Sequence, residues 1–146
     1  MGAPTTDVGV MAAHLRISAT RLARLLRRQA DTGLSPSQLS ALTSIERHGP
    51  LTLGALAEHE RVAPPSITKV VAKLEERQLV SRRADPADRR VTHVSTTPQG
   101  DALLAEVRQL KDVWLAARLA DLDDDQRSRL AAALDVIDEL TGRDPA

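Results

Sequence analysis

Residues 53–96 carry the strongest structural pattern of the chain and read LGALAEHE-RVA-PPSITKVVAKLEERQ-LVSRR-ADPADRR-VTHVST. The first eight residues follow Thr52 and place their leucines on one side of a short helix. Pro64 and Pro65 fit only the first turn of a second helix, and its apolar residues recur at helical spacing: Ile67, Val70, Val71 and Leu74. Two short helices joined by a tight turn, the second with small polar and basic residues on its other face, predict a helix-turn-helix.

A hairpin pattern follows the second helix. Residues 79–83 form a short segment that fits a strand. Residues 91–95 alternate apolar and polar side chains, as a half-buried strand does. The segment between them, residues 84–90, contains turn residues and the adjacent Arg89 and Arg90. A β-hairpin directly after a helix-turn-helix is a wing, and its basic tip suits the minor groove of DNA.

Helical patterns flank this region on both sides. Apolar residues recur at helical spacing over residues 8–29, and residues 35–38, Ser-Pro-Ser-Gln, form the start of a further helix with a capping box. After the wing, Thr97 and Pro98 begin a long helix, and Asp123 caps the last one.

The fold predicted from these patterns is mainly α with a small β-wing. It is a winged helix-turn-helix with N- and C-terminal dimerisation helices, divided into residues 1–33, 34–96 and 97–146. Two apolar helical segments flanking a small winged domain would expose much of their faces in a monomer, and large exposed apolar stripes mark an interface. A two-fold dimer would present two recognition helices to DNA half-sites about one turn apart.

Composition agrees with a helical protein and excludes several classes. Apolar residues make up 42% of the 146 residues, yet Phe and Tyr are absent, so the core must be aliphatic. The absence of cysteine excludes disulfides, thiolate zinc sites, iron–sulfur clusters and thiol redox sensing. No apolar run reaches the ~18 residues of a membrane span, and no signal-peptide pattern begins the chain. We expect a cytoplasmic protein.

The charge is zero overall but unevenly distributed. Residues 61–90 carry eight basic and four acidic side chains, whereas residues 91–146 carry six basic and eleven acidic ones. A basic central segment favours a local surface for polyanions, although a solvated surface explains charge alone equally well.

Two stretches resemble a known family of bacterial transcription factors. Residues 85–90, Asp-Pro-Ala-Asp-Arg-Arg, followed by residues 97–100, Thr-Pro-Gln-Gly, are similar to the wing signature and next helix start of the multiple-antibiotic-resistance regulator (MarR) family. Residues 67–75 resemble its recognition helix. The resemblance implies a homodimer that binds double-stranded DNA at a near-palindromic operator, usually as a repressor. It also implies release by a small aromatic or amphipathic effector, expected near the junction of the first helix and the long fifth helix.

The resemblance also assigns roles to individual residues. It implies that a polar and basic set faces the major groove: Ser66, Thr68, Lys69 and Lys73. Arg89 would enter the minor groove, Asp88 would brace the wing, and Arg90 would support the wing or touch phosphate. Departures from the family pattern are Ala63 in place of a Ser cap, Arg61 and Gln78 in place of glycines, and Thr96 in place of Leu.

Other functions fit the sequence less well. The four histidines are scattered over four predicted elements without metal-ligand spacing, so no metal or cofactor is expected. No nucleophile–base motif indicates an enzyme. A winged-helix module that binds proteins without specific DNA binding remains the alternative, because a fold alone does not set function. The retained basic recognition surface favours DNA.

Overall fold

The computed structural model describes residues 7–142. Within this range the chain forms six helices and three short strands: α1 (Val8–Arg27), α2 (Pro36–His48), β1 (Leu51–Thr52), α3 (Leu53–Glu60), α4 (Pro64–Glu76), β2 (Val80–Ala84), β3 (Thr92–Thr96), α5 (Pro98–Ala120) and α6 (Asp124–Thr141). Residues 27–109 form one unit, and the described residues before and after it form a second one. The predicted winged helix-turn-helix is confirmed. The first six and last four residues of the predicted N- and C-terminal segments lie outside the described range.

The unit of residues 27–109 is built on an aliphatic core. Helices α2, α3 and α4 pack together, and the antiparallel sheet has the strand order β1-β3-β2. The largest fully buried side chains come from all of these layers: Leu42, Ile45, Leu56, Ile67, Leu74, Leu79, Val71 and Val94. The core therefore fixes α4 and the β2–β3 hairpin in one rigid arrangement.

Caps define where the helices of this unit begin. The Ser35 hydroxyl accepts the Gln38 N–H at 3.2 Å, and the Gln38 side chain accepts the Ser35 N–H at 3.0 Å, which confirms the predicted capping box. Thr52 caps α3 by accepting the Ala55 N–H. Helix α4 begins at Pro64, and its N-cap residue, Ala63, provides no side-chain hydrogen bond.

The two residues that stand where the family pattern has glycine share one backbone conformation. Arg61 (φ 53°) and Gln78 (φ 58°) are the residues other than glycine with positive φ in the described part of the chain. They follow α3 and α4, and at each the next residue donates its N–H five residues back, Val62 to Ala57 and Leu79 to Leu74. This is the Schellman arrangement that usually ends in glycine. The chain keeps both turns with larger side chains.

Element ends differ from the predictions by one or two residues. Each wing strand begins one residue later than predicted, because the N–H of Leu79 closes the end of α4 and the N–H of Val91 bonds the carbonyl of Asp88 in the hairpin tip. Helix α1 ends at Arg27 rather than residue 29. Strand β1 was not predicted, and it pairs Leu51 with Val94.

The second unit consists of helices with exposed apolar side chains. No described residue of α1 or α6 is buried. Asp123 caps α6, as predicted, and it also forms a capping box with Gln126. Arg127 of α6 donates to the carbonyl oxygen of Leu122 at 2.5 Å and also pairs with Asp124, which fixes the corner between α5 and α6. None of the described helices combines the length and apolar composition that a bilayer span requires.

Candidate nucleic-acid interface

Helix α4 separates a buried face from a polar one. Ile67, Val71 and Leu74 are buried in the core. The predicted major-groove set, Ser66, Thr68, Lys69 and Lys73, is exposed throughout. The 3.6-residue period of the apolar positions causes this division, so the polar side chains project on the surface of the unit.

The four polar residues of α4 differ in their contacts. The Thr68 hydroxyl donates to the carbonyl oxygen of Pro64 at 3.0 Å, which leaves its methyl group and the lone pairs of its oxygen for another partner. Lys73 Nζ lies 3.2 Å from Glu76 Oε2, and both side chains are well exposed. Lys69 has no hydrogen bond or ion pair within the described residues. It is the cation of α4 that the fold itself does not use.

Asp85 organises the tip of the wing. Its Oδ1 accepts the N–H groups of Ala87 at 2.8 Å and Asp88 at 3.2 Å, and its Oδ2 lies 3.0 Å from His93 Nε2 on β3. The hydrogen bond from His93, followed by those from the two backbone N–H groups, lowers the pKa of Asp85. A charged Asp85 therefore holds the tip residues against the strand that follows them.

The wing signature residues divide into a pair and a free cation. Arg90 donates to both carboxylate oxygens of Asp88, at 3.0 and 3.1 Å, and its backbone N–H donates to Oδ1 at 3.1 Å. The side-chain hydrogen bond from Arg90 lowers the pKa of Asp88 and raises that of Arg90. Arg89, next to this pair, is exposed and makes no hydrogen bond or ion pair with any described residue.

An ion pair joins the wing to the recognition helix. Arg82 Nε of β2 donates to Glu75 Oε2 of α4 at 2.6 Å. The register of the hairpin places Arg82 opposite the buried Val94, on the side of the sheet that faces α4. The two candidate DNA-contacting elements are thus linked by a charged hydrogen bond as well as by the core.

Two further exposed arginines were not among the predicted contacts. Arg61 lies in the turn of the helix-turn-helix, and Arg83 lies on β2 opposite His93. In the sequence both belong to the basic central segment, and Arg61 also stands where the family pattern has glycine. The arginine at position 61 is notable because the backbone there has a positive φ, which glycine adopts more easily.

Three of the four histidines, and the tryptophan, have local contacts. The rings of His48 and His59 stack with centroids 4.5 Å apart, and His93 pairs with Asp85. No group of three or more potential ligand side chains that could hold a metal was found among residues 7–142. The guanidinium of Arg118 lies 3.5 Å from the centre of the Trp114 ring on α5.

A recognition helix with an exposed polar face, joined to a basic wing, defines a winged helix-turn-helix DNA-binding protein. The sequence profile of the MarR family matches residues 34–92. An HTH-type transcriptional regulator of Mycobacterium leprae is 42% identical over 136 residues, which cover 92% of this chain and 95% of the relative. The chain belongs to the MarR family of transcriptional regulators, and it is not an enzyme.

Two more relatives agree with this assignment. The HTH-type transcriptional repressor MdtR of Bacillus subtilis is 31% identical over 107 residues, covering 73% of this chain and 69% of the repressor. A solved structure of a transcriptional regulator protein from Pseudomonas aeruginosa has 35% sequence identity and a TM-score of 0.85. It covers 97% of this chain and 100% of its own.

Proposed function

We propose that the protein is a homodimeric repressor that binds a near-palindromic operator and is released by a small amphipathic effector. The observation that carries DNA binding is that one unit presents Lys69 on α4 and Arg89 on the wing, two exposed cations that pair with no described residue. Because the fold makes no use of these charges, their role is toward an external polyanion. We place the protein in the cytoplasm, where its operator would be.

The proposal assigns each residue of the interface a role. Ser66, Thr68, Lys69 and Lys73 face the major groove, where hydroxyls and ammonium groups read base edges or phosphates. The Thr68 methyl group is available for a thymine methyl, since the hydroxyl bonds the helix backbone. Arg89 enters the minor groove. Asp88 holds Arg90 through both carboxylate oxygens, which orients the neighbouring Arg89 and leaves the far side of Arg90 for phosphate.

The exposed apolar residues support a dimer. Among the described residues, thirteen of the fourteen exposed large hydrophobic side chains belong to α1, α6 and the part of α5 from Leu110 onward. Val8 is 78% exposed and Leu140 is 70% exposed. Burial of such side chains stabilises by roughly 1.5–3 kcal/mol each. A second copy of the chain is the partner that covers these helices and supplies the second DNA half-site.

The proposals of repression and of effector release rest on similarity to related proteins and not on particular residues of this chain. The relative MdtR is named a repressor, and the family resemblance implies an effector near the junction of α1 and α5. Calorimetry with a panel of aromatic acids, in the presence and absence of operator DNA, tests this part. A compound that binds free protein more tightly than the DNA complex is the expected result. Equal affinity for both would indicate a constitutive regulator.

A salt titration of binding to the protein's own upstream DNA tests the central claim. We expect tight, sequence-selective binding that falls steeply with salt, and a loss of about 1–3 kcal/mol in Arg89→Ala together with reduced preference for A·T sequences. Arg129→Ala on α6, which removes the same charge from a residue paired with Asp125, is the matched control. If the protein binds its upstream DNA weakly, and no more tightly than a scrambled duplex, the result would favour a protein-interaction module.

A further inference from the structure

Arg61 occupies a backbone conformation that costs free energy. Its φ of 53° and ψ of 44° are left-handed, a region that glycine enters freely and that an L-residue with a side chain enters at a cost. The Arg61 N–H donates to the Glu58 carbonyl at 3.2 Å and the Val62 N–H to the Ala57 carbonyl at 3.1 Å. These bonds require the conformation but not the arginine, because glycine would form them without strain.

The turn that carries Arg61 is anchored to α2. The Glu60 carboxylate accepts hydrogen bonds from the hydroxyls of Ser40 at 2.7 Å and Ser44 at 2.5 Å. The residue next to Arg61 is therefore fixed at the end of α3. The Arg61 side chain itself is exposed and makes no hydrogen bond or ion pair with any described residue. Its guanidinium contributes nothing visible to the fold.

The start of α4 offers few backbone donors. Pro64 and Pro65 have no N–H group, and Ala63 carries no capping side chain. The Ser66 N–H is already bonded to the Ala63 carbonyl at 2.9 Å. A helix start commonly binds phosphate through free N–H groups, but here the first ones are absent or occupied. Arg61 lies three residues before Pro64, at the same end of the helix.

We propose that Arg61 binds a DNA phosphate at the edge of the major groove and replaces the contact that the start of α4 cannot make. The N-terminal residues of a recognition helix approach the groove, so the preceding turn lies beside the backbone that borders it. This inference rests on the proposed DNA-binding function. It assigns Arg61 a sequence-independent contact, which gives a role to the charged side chain at a position where glycine is easier to accommodate.

Gln78 provides the matched control. It has the same conformation in the same kind of turn, but it is uncharged and lies at the opposite end of α4. Arg61→Gly and Gln78→Gly should both raise the melting temperature, since both relieve a left-handed residue. Arg61→Gln keeps the cost of the left-handed backbone and removes only the charge. The protein already accommodates a glutamine in this conformation at position 78.

DNA binding should separate the variants. Arg61→Gly and Arg61→Gln should lower affinity roughly 5- to 10-fold, equally for operator and scrambled duplex, and reduce the slope of log K against log salt by about 1. Gln78→Gly should bind as wild type does, and Arg61→Lys should keep the slope. A wild-type slope and affinity in both Arg61→Gly and Arg61→Gln would overturn this inference alone. Wild-type protein without salt-dependent DNA binding would overturn the proposed function as well.

Discussion

Gly100 lies where the first turn of α5 passes close to the backbone of Leu79, the residue before β2. Its N–H donates to the Thr97 hydroxyl at 3.1 Å, and a Cβ built on it would lie 2.2 Å from the carbonyl oxygen of Leu79. We therefore expect Gly100→Ala to lower the free energy of unfolding by about 1–3 kcal/mol through this overlap, as measured by urea denaturation.

Gly54 is the control for that substitution. It is exposed in α3, and the nearest atom to its added Cβ, the Thr52 hydroxyl oxygen, is 4.0 Å away. Gly54→Ala should be neutral or stabilising by up to about 1 kcal/mol, because alanine favours helix without a clash. Equal effects of the two substitutions would contradict the assignment of close contact at Gly100.

At the scale of single residues, some side-chain hydrogen bonds could be predicted from the sequence and others could not. The capping box of Ser35 and Gln38 was predictable because both partners lie within one helix turn and have fixed chemistry. The bond from the Thr68 hydroxyl to the Pro64 carbonyl was not, because the sequence does not distinguish a hydroxyl that bonds the backbone from one that faces outward. The role proposed for Arg61 likewise needed the backbone angles at the turn.

No side chain caps the start of helix α4, so a capping residue at that position should stabilise the protein. Ala63 has the extended backbone of a cap residue, with φ −65° and ψ 142°. Ala63→Ser should add a hydrogen bond from the Ser66 N–H to the new hydroxyl and raise the free energy of unfolding by about 0.5–1 kcal/mol. The gain is at the low end of the usual range because that N–H already bonds the Ala63 carbonyl.

Thermal unfolding of Ala63→Ser beside Ala63→Gly measures the effect. Glycine at an N-cap is only a few tenths of a kcal/mol less favourable than serine, so Ala63→Gly should gain part of the stabilisation and Ala63→Ser should exceed it by about that difference. Stabilisation by glycine equal to that by serine would show that backbone preference, and not the hydroxyl, controls the start of α4.

An ion pair joins α2 to α5 and makes stability depend on pH. Arg108 donates to both oxygens of Glu46, at 2.8 and 2.9 Å, and this hydrogen bonding lowers the pKa of Glu46. Since the folded state favours the charged carboxylate, the pair stabilises the protein above the unfolded pKa of about 4.5. That stabilisation is lost as the pH falls through the lower folded pKa.

A double-mutant cycle with Glu46→Gln and Arg108→Gln isolates this contribution. We expect a coupling free energy at pH 7 that disappears as the pH falls through the lowered folded pKa of Glu46, as measured by chemical denaturation at each pH. The coupling should be modest, because about half of the Arg108 side chain is exposed to solvent. A coupling that does not change with pH would indicate that packing, and not charge, joins the two helices.

Pattern length explains which elements could be predicted. The helices span two to six turns, and their apolar period was clear over that length. Strand β1 has two residues, too few to show alternation, and it forms because Leu51 and Thr52 pair with β3. The ends of β2 and β3 shifted because turn hydrogen bonds, which no period reveals, take the first residue of each predicted strand.

For the whole molecule, the distribution of apolar surface predicts that assembly and DNA affinity are linked. Leu134 of α6 is 51% exposed in the single chain. If a second copy covers it, Leu134→Glu buries a charge in the interface and should convert the dimer to a monomer. Sedimentation equilibrium would measure this, with Ser128→Glu, which adds the same charge to an exposed residue of α6, as the control.

DNA binding should follow the state of assembly. A monomer engages one half-site, so Leu134→Glu should lose roughly 100-fold or more in affinity for a duplex with two half-sites. Its affinity for a duplex with one half-site should be unchanged, because the recognition helix and the wing belong to the other unit. A monomeric variant with wild-type affinity for the full operator would show that the two half-sites are not bound by one dimer. Wild-type protein that sediments as a monomer would leave the apolar faces of α1 and α6 to a different partner.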